Sequence, residues 1–492
     1  MMEQTKAGRE AVETPYGTLV GTQLDGATRF SRVRYAMPPV GQRRFRLPEP
    51  IQSWSEPLDC TGEGTIPPQL PSRLALVMGD YPAVQDEDCL HLDIWVPKKR
   101  AADTAIFVFV HGGAFMTGGG SLSCYDGAIL ATSSEMIVVN ISYRLGALGF
   151  LPVHGVAPAN LGLHDQIAAL RFLREIAPAL GGDGENITIA GQSAGALSIA
   201  LLLASPAQNT LFKRSVIMSA PLGLDLPTVE ASERIGRDFM NALGLAPDDR
   251  RGLEEQPIER LMKAQLEIVK ANIPPLGEVT VPYVPAIDGE LILTHPRNAL
   301  EAGAAAGHEM LIGTTREEMT SFYLGNQDLA KVADDIAVAA FRRRYGENAE
   351  GAIQRARAKR APGKGLPVLC DLMTGSLFAD DSLAVARAQV QNGRSPFVYR
   401  FDWQSPAAEI QACHCIELPF LFGNLDTWRA APMLAQADLV EVAGLGRIFR
   451  GALAAFAKSG KPDGADLPAW PEYGTQEVIQ HFDNLIEARR AA

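Results

Sequence analysis

Long apolar runs are missing from this chain. The longest, such as the one at 201–204, fall far short of the roughly 18 residues needed to span a bilayer, so no membrane-spanning segment is expected. Clusters of Lys and Arg are missing as well. With 45 basic against 57 acidic residues and a net charge of −12, neither nucleic acid nor an anionic membrane is expected as a partner. Cysteine is scarce: six in 492 residues, at positions 60, 89, 124, 370, 413 and 415, which do not make a disulfide framework. The opening segment MMEQTKAGREAVETPYG lacks both an apolar stretch and a small-residue cleavage site, so no secretory signal is read there. These absences together predict a cytoplasmic protein with reduced thiols. No internal repeat, low-complexity tract or Gly/Ser-rich linker divides the chain, and 47% hydrophobic with 21% charged residues is the balance of a globular protein with ample core.

What is present alternates. AIFVFV (105–110), MIVVNISY (136–143), NITIA (186–190), RSVIM (214–218), EMLIG (309–313) and FVYRF (397–401) read as strands. Most lack period-2 alternation, as expected of strands buried on both faces of a mostly parallel sheet. DQIAALRFLREIAPAL (165–180) and AGALSIALLLA (194–204) carry helical spacing, which makes the pattern α/β. The start differs: GTLVGTQL followed by AMPPVGQRRFRLPEP predicts a small antiparallel sheet and a Pro-rich connection. The stretch from about 222 to 364 predicts helical excursions over the C-terminal edge of the sheet.

Two motifs carry chemistry. NITIAGQSAGALSIALLLA has the form strand, G-x-S-x-G, helix, with Gly191, Gln192, Ser193, Ala194 and Gly195 at its centre. A sharp strand-to-helix turn needs small residues on either side of the serine, and it holds the hydroxyl at the head of a helix. By chance the five-residue pattern arises roughly 0.2 times in such a chain, so its flanking strand and helix matter more than the pattern. The second motif is FVFVHGGAFMTGGG (107–120), a buried strand running into His111, Gly112 and Gly113. Fixed, desolvated backbone N–H groups stabilise the negative oxygen that forms in acyl transfer. An HGG turn upstream of G-x-S-x-G is the arrangement of an α/β-hydrolase oxyanion hole, with the amides of Gly112, Gly113 and Ala194 as donors.

With these motifs in place, the chain resembles the type B carboxylesterase family, which includes bacterial para-nitrobenzyl esterases and, more distantly, the cholinesterases. The matching segments run nearly end to end and in order: YAMPPVGQRRFRLPEP, EDCLHLDIWVP, NISYRLGALGFL, NLGLHDQIAALRFLREI, GGDGENITIAGQSAGA, LIGTTREEMTSF and HCIELPFLFGN. The resemblance implies an α/β-hydrolase fold in one domain over 1–492, with helical excursions at roughly 222–308 and 317–390. It implies a serine esterase acting on a small-molecule ester, with Ser193 as nucleophile, Glu318 as acid and His414 as base, in the order expected of the fold. The residues alone do not separate Glu318 from Glu317. The resemblance also implies that Arg44 pairs with Glu87, and that Ser219 is a hydroxyl beside the triad. No cofactor or metal is required.

Departures from the family are informative. Gln192 stands where many relatives have Glu, and an amide neither favours a charged imidazole nor attracts cations. Between 64 and 87 there is no Trp to hold a quaternary ammonium group; Tyr81 is the one aromatic residue. The partner of Cys89 in secreted relatives falls at about Pro67, so no disulfide is expected to close that loop. Met319 replaces a frequent Gly and is expected to pack; Gly375 replaces an Asp and is expected to loosen support of the triad. These features predict a hydrolase of neutral esters. Amide, carbamate or thioester hydrolysis on the same residues is the alternative, and a non-catalytic binding protein of the same fold is a more distant one. Cys413-His414-Cys415 also suggests metal ligands, but zinc sites usually show C-x₂₋₄-C spacing and a second ligand cluster, and neither is present.

Overall fold

The structure is a computed structural model that describes residues 8–205, 207–274, 277–279, 281–324, 332–358, 363–464 and 466–491. Parts of both expected excursions (275–276, 280, 325–331 and 359–362) and the first seven residues of the chain lie outside the described residues. The strands are β1 (Arg9–Thr14), β2 (Gly17–Gln23), β3 (Ala27–Arg34), β4 (Leu58–Asp59), β5 (His91–Pro97), β6 (Thr104–Val110), β7 (Ile137–Ile141), β8 (Gly182–Gln192), β9 (Arg214–Met218), β10 (Glu309–Thr315), β11 (Phe397–Phe401), β12 (Val478–Phe482) and β13 (Glu487–Arg490). They form one sheet in the order β1-β2-β3-β5-β7-β6-β8-β9-β10-β11-β12-β13, with β4 beside β2. From β7 to β12 every neighbour pair is parallel. This is an α/β-hydrolase fold.

The small antiparallel sheet expected at the N-terminus is present as β1, β2 and β3, and it is joined to the main sheet. β3 pairs antiparallel with β5, through a register shift between Phe30 and Val33, and β5 pairs with β7. The opening strands therefore continue the main sheet as its antiparallel flank. The residues of β5, HLDIWVP, are buried throughout, which lets that strand join two partners rather than end a sheet.

The even hydrophobicity of the central strands has a direct cause. In β6, Ile106, Val108 and Val110 belong to one apolar core, and Phe107 and Phe109 to a second core on the opposite face. The helix Leu161–Ile176 packs into the first core, and Leu439–Ser459 into the second. A third, smaller cluster lies among the helices Asp334–Tyr345, Ala349–Ala358 and Leu366–Thr374 and includes Met319, Phe341, Ile353 and Leu369. Met319 thus packs, as the sequence implied.

Two ion pairs fix the loops near the C-terminal ends of the strands. Arg44 holds Glu87 through Nε at 2.6 Å and also donates to the carbonyls of Glu254 and Gln256 at 2.8 and 2.7 Å. Its side chain is only 10% exposed, so this is a buried tie among three segments rather than an ordinary surface pair. Arg144, just beyond β7, donates to Asp165 through Nε at 2.8 Å and Nη2 at 2.6 Å, and both side chains are buried. Among the described residues no helix is long and apolar enough to cross a membrane.

Candidate active site

The geometry of the serine turn explains its sequence. β8 ends at Gln192 and the helix Ala194–Ala204 begins two residues later. Ser193 bridges them with φ 57° and ψ −122°, a strained conformation for a residue with a side chain. Its N–H donates to Met218 O at the end of β9 at 2.9 Å, which holds the turn to the sheet. A Cβ on Gly195 would run into the Val110 carbonyl, and one on Gly191 into the backbone of Gly195. The two glycines are there because helix and strand meet without room for a methyl group.

β6 delivers the second element. Beyond Val110 the chain turns at Gly112 and Gly113, and a Cβ on Gly112 would meet Gln192 O at 2.8 Å and Ser193 Cβ at 2.9 Å. The HGG turn therefore lies directly against the serine. Among the described residues, none of the amides of Gly112, Gly113 and Ala194 donates to a protein acceptor. The ring of His111 stacks on Tyr143 (centroids 4.5 Å apart), and Tyr143 Oη donates to His111 O at 2.8 Å. Burial pushes the His111 pKa down to about 4, against the pull of the Gly112 carbonyl. The ring is thus neutral, and its Nδ1–H donates to Gly112 O at 2.8 Å, which pins the turn.

Glu318 and His414 meet in the interior. His414 Nδ1 lies 2.5 Å from Glu318 Oε2, and Thr315 N donates to Glu318 Oε1 at 2.8 Å. Both side chains are fully buried. Glu317 points elsewhere: its Oε2 accepts from Ala412 N at 3.1 Å and Gln404 Nε2 at 2.9 Å, and so seats the loop that carries His414. The pair that the residues alone could not separate is divided by direction. Two phenyl rings flank the imidazole, Phe322 at 5.2 Å and Phe378 at 5.1 Å between centroids. Phe378 comes from a single π-helical turn, Gly375–Ala379. Gly375 itself faces Asp380 and Tyr345, so an Asp there would add charge beside Asp380. Among the described residues no hydrogen bond joins Ser193 Oγ to His414; the imidazole Nε2 stands instead 3.2 Å from Gln192 Nε2.

One buried carboxyl escaped the sequence reading. Glu417, three residues after His414 in HCIELPF, has neither oxygen hydrogen-bonded among the described residues. Burial first, and the nearby charge of Glu318 second, push its pKa up to about 8. The Ser219 hydroxyl, beside it but outside hydrogen-bond geometry, opposes this weakly. Glu417 therefore holds its proton well above the usual carboxylate range. A folded-state pKa above the unfolded one means that the native state holds an extra proton, so this group's stabilisation is lost as pH rises through about 8. Glu417→Gln, which mimics the neutral acid, is expected to gain melting temperature relative to the parent as pH is raised from about 5 to about 8. A constant difference across that range would show that Glu417 is ionised throughout.

Beside the turn lies a cavity of about 200 Å³ lined by Leu74, Met78, Tyr81, Tyr125, Gln192 and Cys415, with Asp80 at its exposed rim. Tyr81 does not lie free over it, because its ring packs edge-on against buried Trp428 at 5.4 Å. All six cysteines are free and buried. Among the described residues no three His, Cys, Asp or Glu side chains converge to hold a metal.

Residues 8–489 match the model of the carboxylesterase family. The chain belongs to the carboxylesterase family. It is 37% identical over 489 residues to the para-nitrobenzyl esterase of Bacillus subtilis, covering 97% of this chain and 96% of that one. It is 33% identical to the phenmedipham hydrolase of Pseudarthrobacter oxydans, over 94% and 93% of the two chains. The solved structure of a thermophilic PNB esterase superposes with a TM-score of 0.87 at 33% identity, over 98% of both chains. This carboxylesterase is accordingly a carboxylic ester hydrolase.

Proposed function

We propose that the enzyme hydrolyses neutral carboxylic esters through an acyl-enzyme, with Ser193 as nucleophile, His414 as general base and acid, and Glu318 as the group that orients the base. The observation that carries this reading is the 2.5 Å contact of His414 Nδ1 with Glu318, beside a serine held in a strained turn. Ser193 Oγ attacks the ester carbonyl while His414 takes its proton, then returns it to the departing alcohol. The amides of Gly112, Gly113 and Ala194, without protein acceptors, hold the oxyanion. Water activated by His414 releases the acid. The missing Ser193–His414 hydrogen bond is compatible with this, because such bonds tighten once substrate is bound. Neutral substrates are supported by the Gln192 amide, which lines the cavity where a carboxylate would attract cations. The same reading takes the chain as one domain built on its single sheet. It places the enzyme in the cytoplasm, since position 67, where secreted relatives have a partner for Cys89, is proline.

A fluorophosphonate probe is expected to label Ser193 alone, and a panel of acyl and alcohol variants to give its highest kcat/KM with neutral esters. Labelling at another residue refutes the nucleophile. A choline ester cleaved far faster than its matched neutral ester refutes the substrate class.

A further inference from the structure

Cys415 has φ 75°, in the left-handed region where glycine is at ease and a residue with a Cβ is strained. From there its buried thiol reaches Gln192 Oε1 at 3.4 Å. The other end of the same carboxamide, Nε2, faces His414 Nε2 at 3.2 Å. The chemistry of each group then sets who donates. The Glu318 carboxylate only accepts, so the ring proton sits on Nδ1 and Nε2 carries the lone pair. The Gln192 NH₂ donates to that lone pair, and its oxygen accepts the S–H. Turned over, the amide would set oxygen against lone pair and NH₂ against a sulfur that accepts only weakly. Protonation of the ring reverses the preference: Nε2–H then meets the NH₂, donor against donor. One amide therefore distinguishes the two charge states of the ring, and the thiol, bonded to its oxygen, biases its orientation. Burial keeps that thiol protonated, with its pKa well above the usual range.

We propose that Cys415 is a positioning residue: by fixing the Gln192 carboxamide with its NH₂ toward His414, it favours the neutral, proton-accepting ring at rest and turns the protonated ring's Nε2–H away, toward Ser193 Oγ and the leaving group. This rests on the catalytic roles proposed above for Ser193 and His414. Glu318 lies against the ring, Cys413, Cys415 and Glu417 lie on its own loop, Tyr399 on β11 is within electrostatic reach of Glu318 and Glu417, and Glu317 turns away to Ala412 and Gln404. The serine turn adds only Gln192 and Ser193, and the helices on either side add phenyl rings. Of these groups, Cys415 is the one bonded to the Gln192 oxygen.

The test is the pH profile of kcat/KM for a neutral ester in the parent and in Cys415→Ala and Cys415→Gly. The Ala and Gly variants free the amide to turn its oxygen to the protonated ring, and their acid limbs are expected to move up by about half a unit to one unit. The Gly variant also relieves the backbone strain, so its melting temperature guards against reading misfolding as a shift. Acid limbs of the Ala and Gly variants that coincide with the parent's overturn the proposal. Undiminished activity in Ser193→Ala would instead overturn the catalytic reading beneath it.

Discussion

Ser193→Ala is expected to lower kcat by on the order of 10⁴- to 10⁶-fold while leaving the melting temperature and fold intact. The size follows from covalent catalysis: without the hydroxyl there is no acyl-enzyme, and what remains is the pull of the oxyanion amides and of substrate binding. Stability should hold because Ser193 Oγ makes no hydrogen bond to His414 among the described residues, and the strained turn is held by backbone bonds to Met218 and Leu197. The measurement is steady-state hydrolysis of a chromogenic neutral ester, with active sites titrated by a fluorophosphonate to exclude traces of parent enzyme. Because the three residues act as a unit, Ser193→Ala combined with His414→Ala should cost little more than Ser193→Ala alone. A variant retaining a tenth of the parent rate would end the assignment of Ser193.

The second large effect is on stability. Asp165→Ala is expected to destabilise the protein by about 3–5 kcal/mol, because it leaves the guanidinium of Arg144 buried and uncompensated. The Arg144 side chain is 3% exposed and that of Asp165 not at all, so water cannot replace the lost carboxylate. Asp165 also accepts from Arg144 N at 3.1 Å, which fastens the segment after β7 to the helix Leu161–Ile176. Removing both charges, as in Arg144→Met with Asp165→Leu, should recover much of the loss, since the cost of a broken buried pair is mostly that of the stranded charge. Urea unfolding of the two variants beside the parent measures this. If Asp165→Ala shifts the midpoint no more than a surface substitution does, the pair is not structural.

The sequence was legible where the chain's own neighbours decide the outcome. The apolar run FVFV and the Gly191–Gly195 pattern name a buried strand and a tight turn, since crowding at Gly191 and Gly195 comes from segments that must cross there. It was illegible where residues distant in sequence decide. Glu317 and Glu318 are adjacent and chemically identical; only the approach of residues 411–414 sends one to Ala412 and the other to His414. Phe322 and Phe378 read as ordinary apolar residues until the fold sets them on either side of the imidazole. Glu417 carries no mark of its burial in HCIELPF. The family resemblance likewise gave Arg44 a partner but not its depth, because the carbonyls of Glu254 and Gln256 come from more than two hundred residues away.

Among the described residues this sheet ends in two strands that pair on one side only, and what they carry bears on how the protein behaves when crowded. β1, at one edge, presents Arg9, Glu10 and Glu13; β13, at the other, presents Glu487, Arg489 and Arg490. Backbone groups on an open edge can template another chain, and charges there make such pairing costly. The width that supports the site thus need not make filaments of the enzyme: pairing at either edge would have to strip these charged side chains of water.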